Sequence, residues 1–185
     1  MARSGHVKKM ARAGEAQAVP AADHWRMHSR YLDGIVIRPL RDGDTETVEA
    51  MFARLDAGSR RRRFGFSKEQ LSNDELESLA RVDRDHHVLV AHVDDDPRPA
   101  GIARLVRKEQ AAEVAFEVAD ECQGRGIGSA LARLLTADAR AAGIVELHAT
   151  VAGDNPRAIS LLSRCARGLR ATWVGGEREL VAALD

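Results

Sequence analysis

The sequence predicts a single α/β domain of the α+β kind, and three observations carry that reading. Its 185 residues suffice for one substantial core and are too few for two ordinary domains. Short segments of strand length and composition, at 35–38, 87–93, 101–107, 113–119, 145–151, 169–174 and 179–181, recur along the chain. Between them lie stretches of helical period, the longest at 126–142, rich in Ala, Leu and Arg and stopped by Gly143.

The first strand, 35–38, leads to a helix capped by Asp42 or Asp44, with Val48, Met51, Phe52 and Leu55 on one face. Gly58 ends that helix, and the basic run Arg60, Arg61, Arg62 and Arg63 reads as a solvated loop, with contact to an acidic partner or a phosphate as the other reading. Ser72 and Glu75 have the spacing of a capping box and open a second helix through Leu76, Leu79 and Ala80. Two strands follow, joined by the turn-rich 94–99, and a fourth spans 113–119. After the long helix and the strand 145–151, Asn155-Pro156 starts another helix. The segments 169–174 and 179–181, linked through Gly175-Gly176, close the chain as a hairpin in which Trp173 packs. The order is β-α-α-β-β-β-α-β-α-β-β. Residues 1–33 show no clear period and read as a flexible extension, so the domain occupies 34–185.

Lys plus Arg and Asp plus Glu number 28 each, which argues against nucleic acid or a membrane surface as a partner. Cys122 and Cys165 have no metal-ligand spacing, so no metal is expected and a reducing compartment is. No apolar run of membrane length occurs and the first 30 residues lack a signal-peptide core, so a cytoplasmic location is expected. His86 and His87 read as polar residues at a strand edge.

The chemistry-bearing segment is the strand 113–119, then Gln123-Gly124-Arg125-Gly126-Ile127-Gly128, then the long helix. Glycines let backbone N–H groups approach a polyanion, and a helix N-terminus adds unpaired donors and a positive dipole end. That order predicts a pyrophosphate cradle, with a plain tight turn as the alternative. The dinucleotide fingerprint and the P-loop are both absent.

The Gln-x-x-Gly-x-Gly spacing, the strand before it and Asn155 after it resemble the GNAT superfamily of N-acetyltransferases. The likeness runs from about Ile35 to Leu184. It is closest to the bacterial protein-lysine acetyltransferase (Pat) type, through Ser59, Arg63 and Phe64, then Leu71, Ser72, Glu75 and Leu76, then Val82 and Asp83. The resemblance implies a mixed, mostly antiparallel sheet of six to seven strands flanked by about four helices. It implies acetyl-CoA as acetyl donor and a primary amine as acceptor, a lysine side chain of a protein such as an acyl-CoA synthetase. In that frame Gln123, Gly124, Arg125, Gly126, Ile127, Gly128 and Ser129 hold the pyrophosphate, mostly through backbone amides. The backbone of Phe116 to Val118 pairs with the pantetheine arm as a neighbouring strand would, and one of its N–H groups polarises the thioester. Asn155 bonds the arm; as a residue before Pro156 it reads equally as a helix N-cap.

Amine acetylation needs a base, because an unperturbed lysine amine has a pKa of about 10.4. Alternation on 113–119 puts Val114, Phe116 and Val118 on one face and Glu113, Ala115, Glu117 and Ala119 on the other. Two solvated acids on a half-exposed strand are the bland reading. The resemblance assigns Glu113 as general base, with its pKa raised by partial burial, and leaves Glu117 in reserve. Two departures stand out. The tyrosine that serves many relatives as acid is replaced by Leu162, the only tyrosine being Tyr31, and Ala166-Arg167-Gly168-Leu169 stands where Gly-Phe is usual. A small-molecule amine acceptor, or a catalytically weak acetyl-CoA-binding regulatory module, stays open beside the protein acceptor, and so does the oligomeric state.

Overall fold

A computed structural model describes residues 29–32, 34–93, 96–152 and 155–184. The extension expected over 1–33 therefore lies outside the described residues except for 29–32, and there Arg30–Leu32 forms a short strand, β1. The chain continues through β2 (Ile35–Pro39), α1 (Thr45–Ala53), α2 (Ala57–Phe64), α3 (Asn73–Ala80), β3 (His86–Val93), β4 (Gly101–Lys108) and β5 (Ala111–Val118). A 3-10 turn, Asp120–Cys122, precedes α4 (Ile127–Ala141), β6 (Glu146–Ala152), α5 (Pro156–Cys165), β7 (Gly168–Val174) and β8 (Glu177–Ala183).

All eight strands form one mixed sheet in the order β1-β2-β3-β4-β5-β6-β8-β7, antiparallel throughout except at β5–β6. The count exceeds the expected strands by β1 and the expected helices by α2. The α2 segment is where the local reading fails: Gly58 lies inside the helix and Arg60–Arg63 is helical rather than a loop. The signals elsewhere act as their chemistry predicts. Asp44 caps α1 by accepting from Thr47 N at 3.0 Å, and Ser72 and Glu75 form a complete capping box on α3.

The core is a layer of fully buried aliphatics, among them Ile102, Leu105, Leu131, Leu135 and Leu147 at 0% exposure, or 1% for Ile127. Helix α4 lies so close to β4 that a Cβ on Gly101 would meet Ile127 and Leu131 side-chain carbons at 3.0 Å. Val118 faces the same helix, near Gly128, so the even-numbered face of β5 turns toward α4. The odd-numbered face turns toward the α1–α3 layer, where Arg104 Nε donates to Leu79 O at 3.1 Å.

Two side-chain expectations need correction. His87 is not an edge residue: β3 lies inside the sheet, and His87 is fully buried with Nε2 3.0 Å from Asp138 Oδ2 of α4. Trp173 is 59% exposed on the edge strand β7, where the Arg178 guanidinium stacks 4.6 Å from its ring centroid. Among the described residues no helix is long and apolar enough to cross a membrane, and no three His, Cys, Asp or Glu side chains are grouped to hold a metal.

Candidate active site

The parallel pairing of β5 and β6 is short. It consists of Ala111↔Glu146, Ala112↔Leu147 and Glu113↔His148. Beyond that point β5 stays paired with β4 up to Val118, while β6 stays paired with β8 up to Ala152. The two strands therefore part at Glu113, and the β6-facing backbone edge of 114–118 has no ladder partner among the described residues. Glu113 sits at the vertex of the wedge, and the glycine loop follows the far end of β5, roughly 17 Å away by strand rise.

At that far end Gly124 and Gly126 have φ of 80° and 84°, which L side chains rarely adopt. Gly126 is the N-cap of α4 and supplies no side chain to cap it, so the N–H groups of Ile127, Gly128 and Ser129 point out of the helix without intrahelical partners. Among the described residues nothing lies within 4 Å of a Cβ built on either glycine, which leaves the cradle open to a ligand. This donor set and open space fit a pyrophosphate, and the unladdered edge of β5 fits an amide-bearing arm laid along it. The Gln123 side chain turns the other way: Nε2 donates to Asp120 Oδ1 at 2.9 Å, and Oε1 accepts from Arg157 Nη1 of α5 at 2.6 Å. Asn155 is the N-cap of α5, accepting from Ala158 N at 3.2 Å.

The two glutamates of β5 share a face and have opposite surroundings. Glu113 is not partly buried as expected; its side chain is 57% exposed and pairs with Lys108 Nζ at 3.0 Å. His148, its cross-strand neighbour at the vertex, lies 3.3 Å from Glu146 Oε2. Glu117 is the buried one. Its Oε1 accepts from Arg104 Nη1 at 2.6 Å and from Arg63 Nε at 2.7 Å. Burial pushes the Glu117 carboxyl up, but the Arg104 and Arg63 guanidiniums more than offset this and hold it below the usual carboxylate range. A carboxylate so held is a poor proton acceptor, and the reserve-base reading of Glu117 gives way to an anchoring one. Burial also lowers Arg104, whose Nη2 has no hydrogen-bond partner among the described residues.

Helix α2 completes the site. Its N-cap Asp56 accepts from Ser59 N at 2.6 Å, and Arg63 in its last turn reaches Glu117. Arg60 stacks on Phe52 at 4.2 Å and donates to Glu69 O at 3.0 Å. The helix packs against both β5 and β6 and so lies across the wedge. Leu162, at the place where many relatives carry an acid, is a core residue of 2% exposure.

The sequence model of the acetyltransferase (GNAT) family matches residues 54–166, well over half of the chain. The chain belongs to the GNAT acetyltransferase family. It is similar to Acetyltransferase PA5475 of Pseudomonas aeruginosa, 31% identical over 145 residues that cover 76% of this chain and 78% of the relative. It is 33% identical to Acetyltransferase Pat of Mycolicibacterium smegmatis over 142 residues, covering 75% of this chain and 41% of that protein. The GNAT domain of S. lividans PAT superposes with a TM-score of 0.75 at 26% identity, over 87% of this chain and 98% of that domain. This GNAT protein is an N-acetyltransferase whose acetyl donor is acetyl-CoA.

Several residues of this GNAT site were not legible from the sequence. Arg104 carries no motif chemistry of its own, and Arg63, although part of the Pat-type pattern, gave no sign that it pairs with Glu117. Register could have found Arg104: it pairs with Ala115 and so lies diagonal to Glu117 on one face. Asp120 and His148 were equally silent.

Proposed function

We propose that this N-acetyltransferase acetylates lysine side chains of protein acceptors by direct attack of the amine on the bound thioester, with Glu113 as general base. The observation that carries the reading is the position of Glu113 at the last β5–β6 pair. An arm laid along the open edge of 114–118 from the glycine loop brings its thioester end to that vertex. The acceptor ammonium loses its proton to the Glu113 carboxylate, directly or through a water. The amine nitrogen then bonds the acetyl carbon while a backbone N–H on the open edge of β5 takes the developing oxyanion, and as the C–S bond breaks the nitrogen sheds its second proton to solvent. The thiolate takes a proton from solvent; a thiol of cysteine-like pKa, about 8.5, leaves without a dedicated acid, consistent with Leu162 being buried.

The Lys108 ammonium on Glu113 at 3.0 Å supports this assignment, because an exposed ion pair exchanges for an incoming lysine at little cost. The Pat-type pattern and the 33% identity to the M. smegmatis protein support a protein acceptor, with acyl-CoA synthetases as the first class to try. The test is acetylation of such acceptors, read as thiol release and acceptor mass, set against a panel of small amines. Transfer to small amines alone would move the acceptor out of the protein class.

A further inference from the structure

Asp120 joins two elements that have different tasks. Its Oδ2 accepts from Asp56 N at 2.6 Å and its Oδ1 from Ser59 Oγ at 2.7 Å, both at the start of α2. The same Oδ1 accepts from Gln123 Nε2 at 2.9 Å, at the start of the glycine loop, and Gln123 in turn holds Arg157 of α5. One carboxylate thereby closes a hydrogen-bond chain running from α2 through the loop to α5.

Helix α2 is set across the mouth of the wedge. Its N-terminal end is held at Asp120, just past β5, and its last turn is pinned by Arg63 to Glu117. Its C-cap Gly65 points toward Glu177, whose strand partner is Ala152 at the end of β6; a Cβ on Gly65 would lie 4.0 Å from Glu177 Oε1. The strap thus reaches from the end of one splayed strand to the end of the other.

An anion three residues before a phosphate cradle opposes the ligand unless its charge is spent elsewhere. Here the donors of α2, at a helix N-terminus, take up that charge. Undocking α2 would remove the Asp56 N–H and Ser59 hydroxyl from the Asp120 carboxylate and leave its charge beside the loop.

We infer that Asp120 is a positioning residue that couples the cofactor loop to α2, so that acetyl-CoA affinity depends on the docking of α2 and acceptor binding depends on the loop. The inference rests on reading the glycine loop and wedge as the acetyl-CoA site.

The test is a double-mutant cycle with Ser59→Ala and Gln123→Ala, reading the acetyl-CoA dissociation constant by calorimetry. Among the described residues Ser59 reaches the loop only through Asp120, so a purely local role predicts no effect of its removal on that constant. Coupling predicts that Ser59→Ala alone weakens acetyl-CoA about two- to tenfold, the worth of one hydrogen bond, and weakens it little further when Gln123→Ala is already present. Asp120→Asn, which keeps the shape and removes the charge, should loosen acetyl-CoA and raise the acceptor KM more than it lowers kcat. Wild-type affinity in Ser59→Ala, or effects that simply multiply, would overturn the coupling while leaving the acetyltransferase reading intact. A wild-type chain that fails to bind acetyl-CoA would overturn the site reading itself, and the coupling with it.

Discussion

Glu117 Oε1 and Arg104 Nη1 are 2.6 Å apart on adjacent strands, both buried, with Arg63 closing the group from α2. Two guanidiniums share one carboxylate, so its removal leaves the buried Arg104 and the half-buried Arg63 without that counter-charge. Glu117→Ala should cost about 3–5 kcal/mol. For a domain of this size that is a melting-temperature loss of roughly 6–20 °C, measurable by thermal denaturation. A loss within a degree or two would show that the arginines find other partners.

The same group sets a pH dependence. The Glu117 carboxyl lies below its ordinary value of 4.5 in the folded protein, held there by the two arginines against burial. Such a group contributes stability that is complete above the unfolded value and is lost as pH falls below it toward the folded one. Denaturant midpoints should therefore stay level near neutral pH and fall below about pH 4.5. Other carboxyls act in the same direction, including Glu75, lowered to about 2 by Lys68, and Asp96, lowered to about 2 by Arg98. The comparison of wild type with Glu117→Gln isolates the buried group: the variant should lose less stability between neutral and acid pH.

Gly126 caps α4 at φ 84° with open space around it. Its replacement by Ala meets no atom of the described residues and pays only for the left-handed backbone, about 1–2 kcal/mol. The chain either bears that strain or shifts the loop, and a shifted loop misaims the N–H groups of the cradle. Gly126→Ala should weaken acetyl-CoA binding at least several-fold while the far-ultraviolet spectrum is unchanged. Unchanged affinity would place the pyrophosphate elsewhere.

Placing a tyrosine at Leu162 should not supply the acid that many relatives have there. Leu162 is 2% exposed and packed in the core, so the larger, hydroxyl-bearing side chain overfills it at a cost of about 1–3 kcal/mol. Leu162→Tyr should lower stability without raising kcat, checked by melting and turnover on the same preparation. A gain in kcat would show that the departing thiolate does need an acid.

Much of the fold was legible because local chemistry decides it. Asp44, the Ser72–Glu75 box, the apolar face of α1 and the strand patterns act within a few residues of themselves. The failures share a cause: the deciding partner is far along the chain. Helix α2 has too polar a sequence to announce itself, and it is held by Asp120, Glu117 and the Phe52 ring. His87 is buried because Asp138 waits 51 residues later. Glu113 and Glu117 are indistinguishable by alternation. Arg63 and Arg104, 54 and 13 residues from Glu117, make one an anchor and leave the other exposed. Likewise the glycine cradle was readable as a motif, whereas the parting of β5 and β6 at Glu113↔His148 is a property of register.

The proposed place of acetyl transfer is the vertex of that wedge, with Glu113 as base. The most direct measurement is thiol release from acetyl-CoA with lysine-containing protein acceptors, wild type beside Glu113→Gln, with acetyl-CoA affinity measured on both. Because Glu113 is exposed, the substitution should leave folding and cofactor affinity unchanged. The account predicts that turnover falls about 10²–10⁴-fold, the worth of a general base, while acetyl-CoA binds as before. Turnover equal to wild type in Glu113→Gln would contradict it.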